Sequence, residues 1–218
     1  APGRVRVLLD RINTDLFRPG VAPAGLRERL HLPPGAAVVV YLGMLRESYG
    51  IDLLLSAAQV VAARRPEAHF LLMGYPNGEH YRARTEALGL NGRVTFTGAV
   101  NYFESPGYLA LGDVAVAPKP PTQGGANSKV LNYMAMGLPV IAFDDPLNRK
   151  MLGDLGVFAV PGSADSLAEG LLHLLARPDR GREIGLALRD IVVKEFAWAD
   201  GAAELMAAYA AAGVQGAA

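Results

Sequence analysis

The run GGANSKVLN, Gly124 to Asn132, places small residues, an amide, a hydroxyl and an ammonium group ahead of a short apolar-periodic segment. Gly124, Gly125 and Ala126 supply pliable backbone, and Asn127 or Ser128 is a side-chain type that caps helices. A helix opening here and running to about Met136 turns unsatisfied N–H groups and the positive end of its dipole outward, which suits an anion such as phosphate. Lys129 lies in that first turn, where a cation opposes the dipole by about a few tenths of a kcal/mol. A bound phosphate would reverse that sign; the plainer alternative is a solvated lysine beside an ordinary cap. Ser128 and Asn132 stand four residues apart and share a helix face. Asn132 therefore offers an amide donor and acceptor beside whatever the helix end holds, or is a surface asparagine bonded to a neighbouring loop.

These residues need a frame, and the hydrophobic pattern supplies one. Short β-rich runs occur at residues 4–8, 37–43, 69–74, 93–98, 113–118, 139–143 and 156–160. Between them lie segments of helical period. In GIDLLLSAAQVVAARR, Ile51, Leu54, Leu55, Ala58 and Val61 or Ala62 fall on one stripe. DSLAEGLLHLLARPD turns Leu167, Gly170, Leu171, Leu174 and Leu175 inward and is stopped by Pro178. Alternating strands and helices predict an α/β fold, a Rossmann-like parallel sheet with helices on both faces. After about residue 163 only helices follow, the last with a sparse stripe of Leu205, Tyr209 and Ala212. One Rossmann-like domain over 1–218 is expected, with a core of 15–195, a C-terminal helix over 196–213 and a tail over 214–218. Ligands of such sheets sit beyond the carboxyl ends of the strands. The loops that matter are therefore GMLRESYG, GYPNGEH, GAVNYFES, PKPPTQGGANS and DDPLNRK, three of which begin with glycine.

Composition narrows the function classes. Lys+Arg and Asp+Glu are both 21, so no overall charge favours nucleic acid or an anionic membrane. Cysteine is absent, which excludes disulfides and thiolate metal sites and fits a cytoplasmic location. No apolar run reaches membrane-spanning length. The chain starts at Ala1, which reads as a processed product or an excised fragment. His80 and His173 lack partners at metal-ligand spacing, and no metal site is expected. Asp144 and Asp145, adjacent and followed by Pro146, read as a turn. No Gly-x-Gly-x-x-Gly occurs, which argues against a dinucleotide dehydrogenase.

Six pieces in order resemble the C-terminal, donor-binding domain of retaining nucleotide-sugar glycosyltransferases of the GT-B fold, the glycosyl transferases group 1. They are VRVLLDRINTDLFRPG, VYLGMLRESYGIDLLLSAA, RVTFTGAV, LALGDVAVAPK, KVLNYMAMGLPVIAFD and EFAWADGAAELMAAYAA. The resemblance implies sugar transfer from a nucleoside diphosphate sugar to an acceptor hydroxyl with retention and without a metal or other cofactor. The leaving diphosphate is then expected at the amides of Gly125, Ala126, Asn127 and Ser128; Lys129 and Arg46, which match no cation of the family's pattern, are the charges expected beside it. Gly43, Met44, Gly98, Val100 and Gly124 complete the expected donor-binding set: the base rests near Gly98 to Val100 and the ribose at Asn132.

The pattern is altered at four usual positions. The family's two glutamates fall on Gly124 and Asn132, and its arginine and lysine fall on Met44 and Tyr49. Arg46, Lys129 and Arg149 are the charges expected near the crevice. An N-terminal domain of the full-length protein would bring the acceptor site and would be the route to any peripheral membrane association. This chain by itself is expected to transfer nothing. A sugar-nucleotide epimerase and a non-catalytic scaffold are the alternatives.

Overall fold

A computed structural model describes residues 10–121 and 127–211. The run at 4–8, the loop residues Gly124, Gly125 and Ala126, and Ala212 onward lie outside the described residues. The elements, in order, are α1 (Leu26–Arg29), β1 (Ala37–Leu42), α2 (Ile51–Arg64), β2 (Ala68–Met73), α3 (Gly78–Ala87) and β3 (Val94–Gly98). They continue through α4 (Ser105–Leu109), β4 (Val114–Ala117), α5 (Lys129–Ala135), β5 (Val140–Phe143) and α6 (Pro146–Leu152). The chain then closes with β6 (Val157–Ala159), α7 (Ala164–Leu175), α8 (Pro178–Glu195) and α9 (Trp198–Ala211).

The six strands form one parallel sheet in the order β3-β2-β1-β4-β5-β6. Its centre strands are apolar throughout because both faces are covered. Along β1, Val38 and Val40 enter one core with α5 and α8, while Val39 and Tyr41 enter the other with α2 and α7. The α2 stripe is buried as its period predicts. Chain order reverses between β1 and β4, and their pairing extends only from Val39↔Val114 to Val40↔Ala115. The two strands part towards their carboxyl ends, which opens a crevice at the switch point.

Two expectations need correction. DDPLNRK is not a loop but opens α6: Asp145 is its N-cap and accepts from the amides of Leu147 and Asn148. Asp144 and Asp145 therefore cap and pair rather than make a simple turn; an extended Asp before Pro at the first helical position satisfies two otherwise orphan donors. Pro178 stops α7 as expected, since the residue before a proline leaves the helical region at Arg177, and it also starts α8. Leu205 and Tyr209 on α9 are exposed, as are Trp198 and Met206. That helix is held at its start by Trp198, whose indole N–H donates to the Arg11 carbonyl at 3.0 Å, and by the Arg11–Glu204 ion pair at 2.8 Å. Its apolar stripe finds no core among the described residues.

Candidate functional site

Three strand-end loops meet at the crevice through glycines that leave no room for a side chain. A Cβ on Gly74 would lie 1.8 Å from the Gly43 carbonyl oxygen, and one on Gly50 would lie 1.8 Å from that of Pro118. Gly43 itself has φ +150°, and a Cβ there would meet the Lys129 side chain at 2.9 Å. The loop after β1 is thus wedged between β2's exit, β4's exit and the first turn of α5. Glycine's missing side chain is what allows it.

Lys129 crosses this junction. Its ammonium lies 4.7 Å from the centre of the Tyr41 ring and 5.0 Å from that of Tyr49, and donates weakly to the Tyr41 hydroxyl at 3.4 Å. Burial, with smaller contributions from neighbouring tyrosines, raises the Tyr41 phenol well above its ordinary range, and its proton is given to the Met44 carbonyl at 2.7 Å. Among the described residues no carboxylate pairs with Lys129. Burial, then the nearby charge of Lys119, brings the Lys129 ammonium down from 10.5 to about 7. A cation enclosed by two aromatic rings without an anion is poorly compensated. The arrangement can bind an anion or hold a lysine that is half neutral near pH 7.

Tyr133 buttresses the gap between β1 and β4. Its hydroxyl accepts from the Leu42 amide at 2.8 Å, a donor that the diverging β4 no longer satisfies, and burial pushes its phenol upward.

The expected helix cap is absent. Ser128 already has helical backbone angles, φ −55° and ψ −25°, and neither it nor Asn127 makes a capping side-chain bond. Asn127 is drawn the other way. Its amide donates to the Asn148 carbonyl oxygen at 3.1 Å, while Asn148 donates to the Phe143 carbonyl and to Asp145. This chain fixes Asn127's orientation and leaves its buried Oδ1 without a partner among the described residues. Asn127 lines a recess of about 440 Å³ together with Lys119, Asp145, three prolines and Leu147.

The remaining expected residues divide. Met44 lies in the β1 loop, half-buried, and Arg46 is exposed beside the 3-10 turn Glu47–Tyr49 without an ion pair among the described residues. Asn132 is half-buried one turn along α5, and its side chain makes no hydrogen bond among the described residues. Gly98 ends β3 at φ +74°, but its carbonyl is occupied by the Gly74 amide at 2.9 Å and the Thr97 hydroxyl at 2.9 Å. Val100 packs on the core. Arg149 is not available as expected: it forks onto Asp144, with one contact at 2.7 Å, and lies over the Phe158 ring. Gly124, Gly125 and Ala126 lie outside the described residues. No group of three His, Asp or Glu among the described residues could hold a metal ion. No described helix is long and apolar enough to cross a membrane.

Sequence reasoning passed over Tyr41, Lys119 and Tyr133. Tyr41 had a signal in the run VVVYLG, where a phenol at the exit of an otherwise aliphatic strand needs a polar partner.

Residues 36–177 match the model of the glycosyl transferases group 1. The chain belongs to that family. It is 31% identical over 203 residues to the GDP-mannose-dependent α-(1-6)-phosphatidylinositol monomannoside mannosyltransferase of Mycobacterium tuberculosis, covering 89% of this chain and 52% of that protein. Among solved structures, sucrose-phosphate synthase from Thermosynechococcus elongatus superposes with TM-score 0.78 at 25% identity, over 94% of this chain and 51% of the other. Anabaena HepE in complex with UDP-glucose has the same fold, with TM-score 0.82 at 18% identity, over 94% of this chain and 57% of the other. This group 1 chain spans about half the length of the curated relatives it matches.

Proposed function

We propose that this chain is the donor-binding part of a glycosyltransferase that moves a sugar from a nucleoside diphosphate sugar to an acceptor hydroxyl, with retention and without a metal or other cofactor. The observation that carries the reading is Lys129: an ammonium group at the switch-point crevice, enclosed by Tyr41 and Tyr49, with no carboxylate partner among the described residues. A relative named for GDP-mannose dependence and a like-folded protein in complex with UDP-glucose support a nucleotide-sugar ligand.

As the bond between the sugar's anomeric carbon and the diphosphate breaks, negative charge grows on the leaving oxygens. Fixed donors aimed at that charge lower the barrier. Lys129 would serve as the cation, joined by the amides of Ser128 and Lys129, which find no acceptor among the described residues. Arg46 stands exposed on the adjoining loop and would reach the outer phosphate. The ribose would rest at Asn132, and the base by the Gly98–Val100 segment. Acceptor-binding groups would come from an N-terminal domain of the full-length protein.

Titration with UDP-glucose, GDP-mannose and ADP-glucose tests the reading. At least one should bind saturably, and Lys129→Ala should weaken it about tenfold, the loss expected for a charge-assisted contact. No binding of any of the three would leave the scaffold reading. The chain by itself should release no sugar to an acceptor; measurable transfer would place the acceptor site within it.

A further inference from the structure

Arg189, half-buried on α8, gives its guanidinium to backbone oxygens. It donates to the Ala135 carbonyl, to that of Phe17 at 2.9 Å and to that of Thr14 at 3.3 Å. Among the described residues no carboxylate pairs with it. The contact with Ala135 completes a helix end, because a helix leaves its last four carbonyls without intrahelical donors. In α5 those of Asn132, Tyr133 and Met134 accept from the amides of Met136, Leu138 and Gly137 at 2.9 to 3.1 Å. The fourth, that of Ala135, takes Arg189 instead. On its other side Arg189 meets a turn over 13–17 built by Asn13. The Asn13 side-chain oxygen accepts from the amides of Asp15 and Leu16, and its carbonyl accepts from that of Phe17. Phe17 itself is fully buried. One guanidinium thus joins α8, the end of α5 and the 13–17 turn.

Resting on the donor-binding reading above, we propose that Arg189 is a positioning residue: it anchors the last turn of α5 to the 13–17 turn and so fixes Lys129 in the crevice, which couples ligand binding there to opening of that turn. With its seven residues α5 rises only about 10 Å, so its first turn, with Lys129, and its last, with Ala135, move together. Burial of Val130, Leu131, Tyr133, Met134 and Ala135 holds α5 in the core, but apolar attraction has no direction and permits sliding along the helix axis. A charge-assisted hydrogen bond to the end carbonyl opposes that slide. A ligand drawn to Lys129 holds α5 in one axial position, which keeps Arg189 engaged with both partners. Opening of the 13–17 turn releases the guanidinium, slackens α5 and weakens the ligand, by the same free energy in each direction. Arg65 offers a contrast: it donates to the Leu175 carbonyl at the end of α7 at 3.2 Å and to Glu67 at 2.6 Å, a similar bond on a different helix.

The test is hydrogen–deuterium exchange of the 218-residue chain with and without saturating UDP, GDP or ADP, paired with calorimetric titration of the same nucleotides. In the unaltered chain a bound nucleotide should slow exchange of the Leu16 and Phe17 amides about threefold, as a coupled local opening requires. Arg189→Met keeps an unbranched stem and removes the donors; it should abolish this slowing and weaken the nucleotide about fivefold. Arg189→Lys, with one compact donor group, should recover part of both. Arg65→Met should lower the urea midpoint yet leave slowing and affinity as they are. Saturable binding without slowing at the turn overturns the positioning role and leaves the donor-binding reading standing. So does slowing that persists in Arg189→Met, or that Arg65→Met also abolishes, since any loss of stability would then suffice. If Arg189→Met fails to fold, the unaltered chain, Arg189→Lys and Arg65→Met still decide the matter. Failure of the unaltered chain to bind any of the three nucleotides overturns the donor-binding reading itself, and this proposal with it.

Discussion

At Lys129 the balance of burial and charge makes ligand binding sensitive to pH. The ammonium has been brought to about 7 by desolvation and by Lys119, with the centre of the Tyr41 ring 4.7 Å away. A diphosphate in the crevice favours the charged form and raises that value in the complex. Above pH 7 the complex then holds a proton that the unliganded chain lacks, so affinity falls as pH rises from about 7 to the complex's own value. Nucleoside diphosphate titrations at pH 6.5, 7.5 and 8.5 should show weakening of up to about tenfold per unit in that window. Proton uptake from the buffer should accompany binding at pH 8. Lys129→Met should flatten the slope; a slope that survives the substitution would assign the proton elsewhere. The residue type was legible in the sequence, but its ionisation was not, since both aromatic partners, one on β1 and one in the 3-10 turn after it, are distant in the chain.

Elements pack here by backbone contact as much as by side chains. The Gly137 turn that ends α5 touches α8 at Gly185, where a Cβ would stand 1.9 Å from the Gly137 carbonyl oxygen. The same crossing is tied by Arg189, which donates to the Phe17 carbonyl at 2.9 Å and to that of Ala135. Gly185→Ala would gain about 1 kcal/mol of helix propensity and lose more to overpacking. A net destabilisation of about 2 kcal/mol is expected, read as a lower urea midpoint at unchanged slope. Gly181→Ala, one turn earlier, meets only Pro139 at 3.4 Å and should be neutral or slightly stabilising. Equal effects at the two sites would show that propensity, and not the crossing, sets the response. The sequence announced the end of α5 through Gly137 and Pro139, and the six described strands fall within a residue or two of the expected runs. It could not announce that Gly185 is a contact, because glycine within a helix carries no sign of what lies opposite.

For the molecule as a whole, acid stability is tied to His69. This β2 residue is buried, bonded through Nε2 to the Thr95 hydroxyl at 2.9 Å, and its Nδ1 has no partner among the described residues. Desolvation, then the charges of Arg27 and Arg93, lowers it from 6.5 to about 4. The unfolded chain takes up this proton first as pH falls. The contribution to stability is therefore complete above pH 6.5 and is lost progressively towards pH 4, by up to about 3 kcal/mol. Chemical denaturation at pH 7, 5.5 and 4.5 should show that decline. His69→Gln should be less stable at pH 7 but should lose less on acidification; an unchanged slope would shift the acid sensitivity to other groups.

The sequence by itself determined the layered α/β architecture, the strands and long helices, and the region around Lys129 as the place to look. Periodicity and strand-ending glycines encode these locally, and local patterns survive without knowledge of neighbours. Tertiary structure decided which charges serve the crevice. It paired Arg149 with Asp144, turned Asn127 towards Asn148, and enclosed Lys129 between Tyr41 and Tyr49 with Lys119 alongside. A side chain's charge and orientation depend on its partners across the fold, and those partners lie up to 88 positions away in the chain.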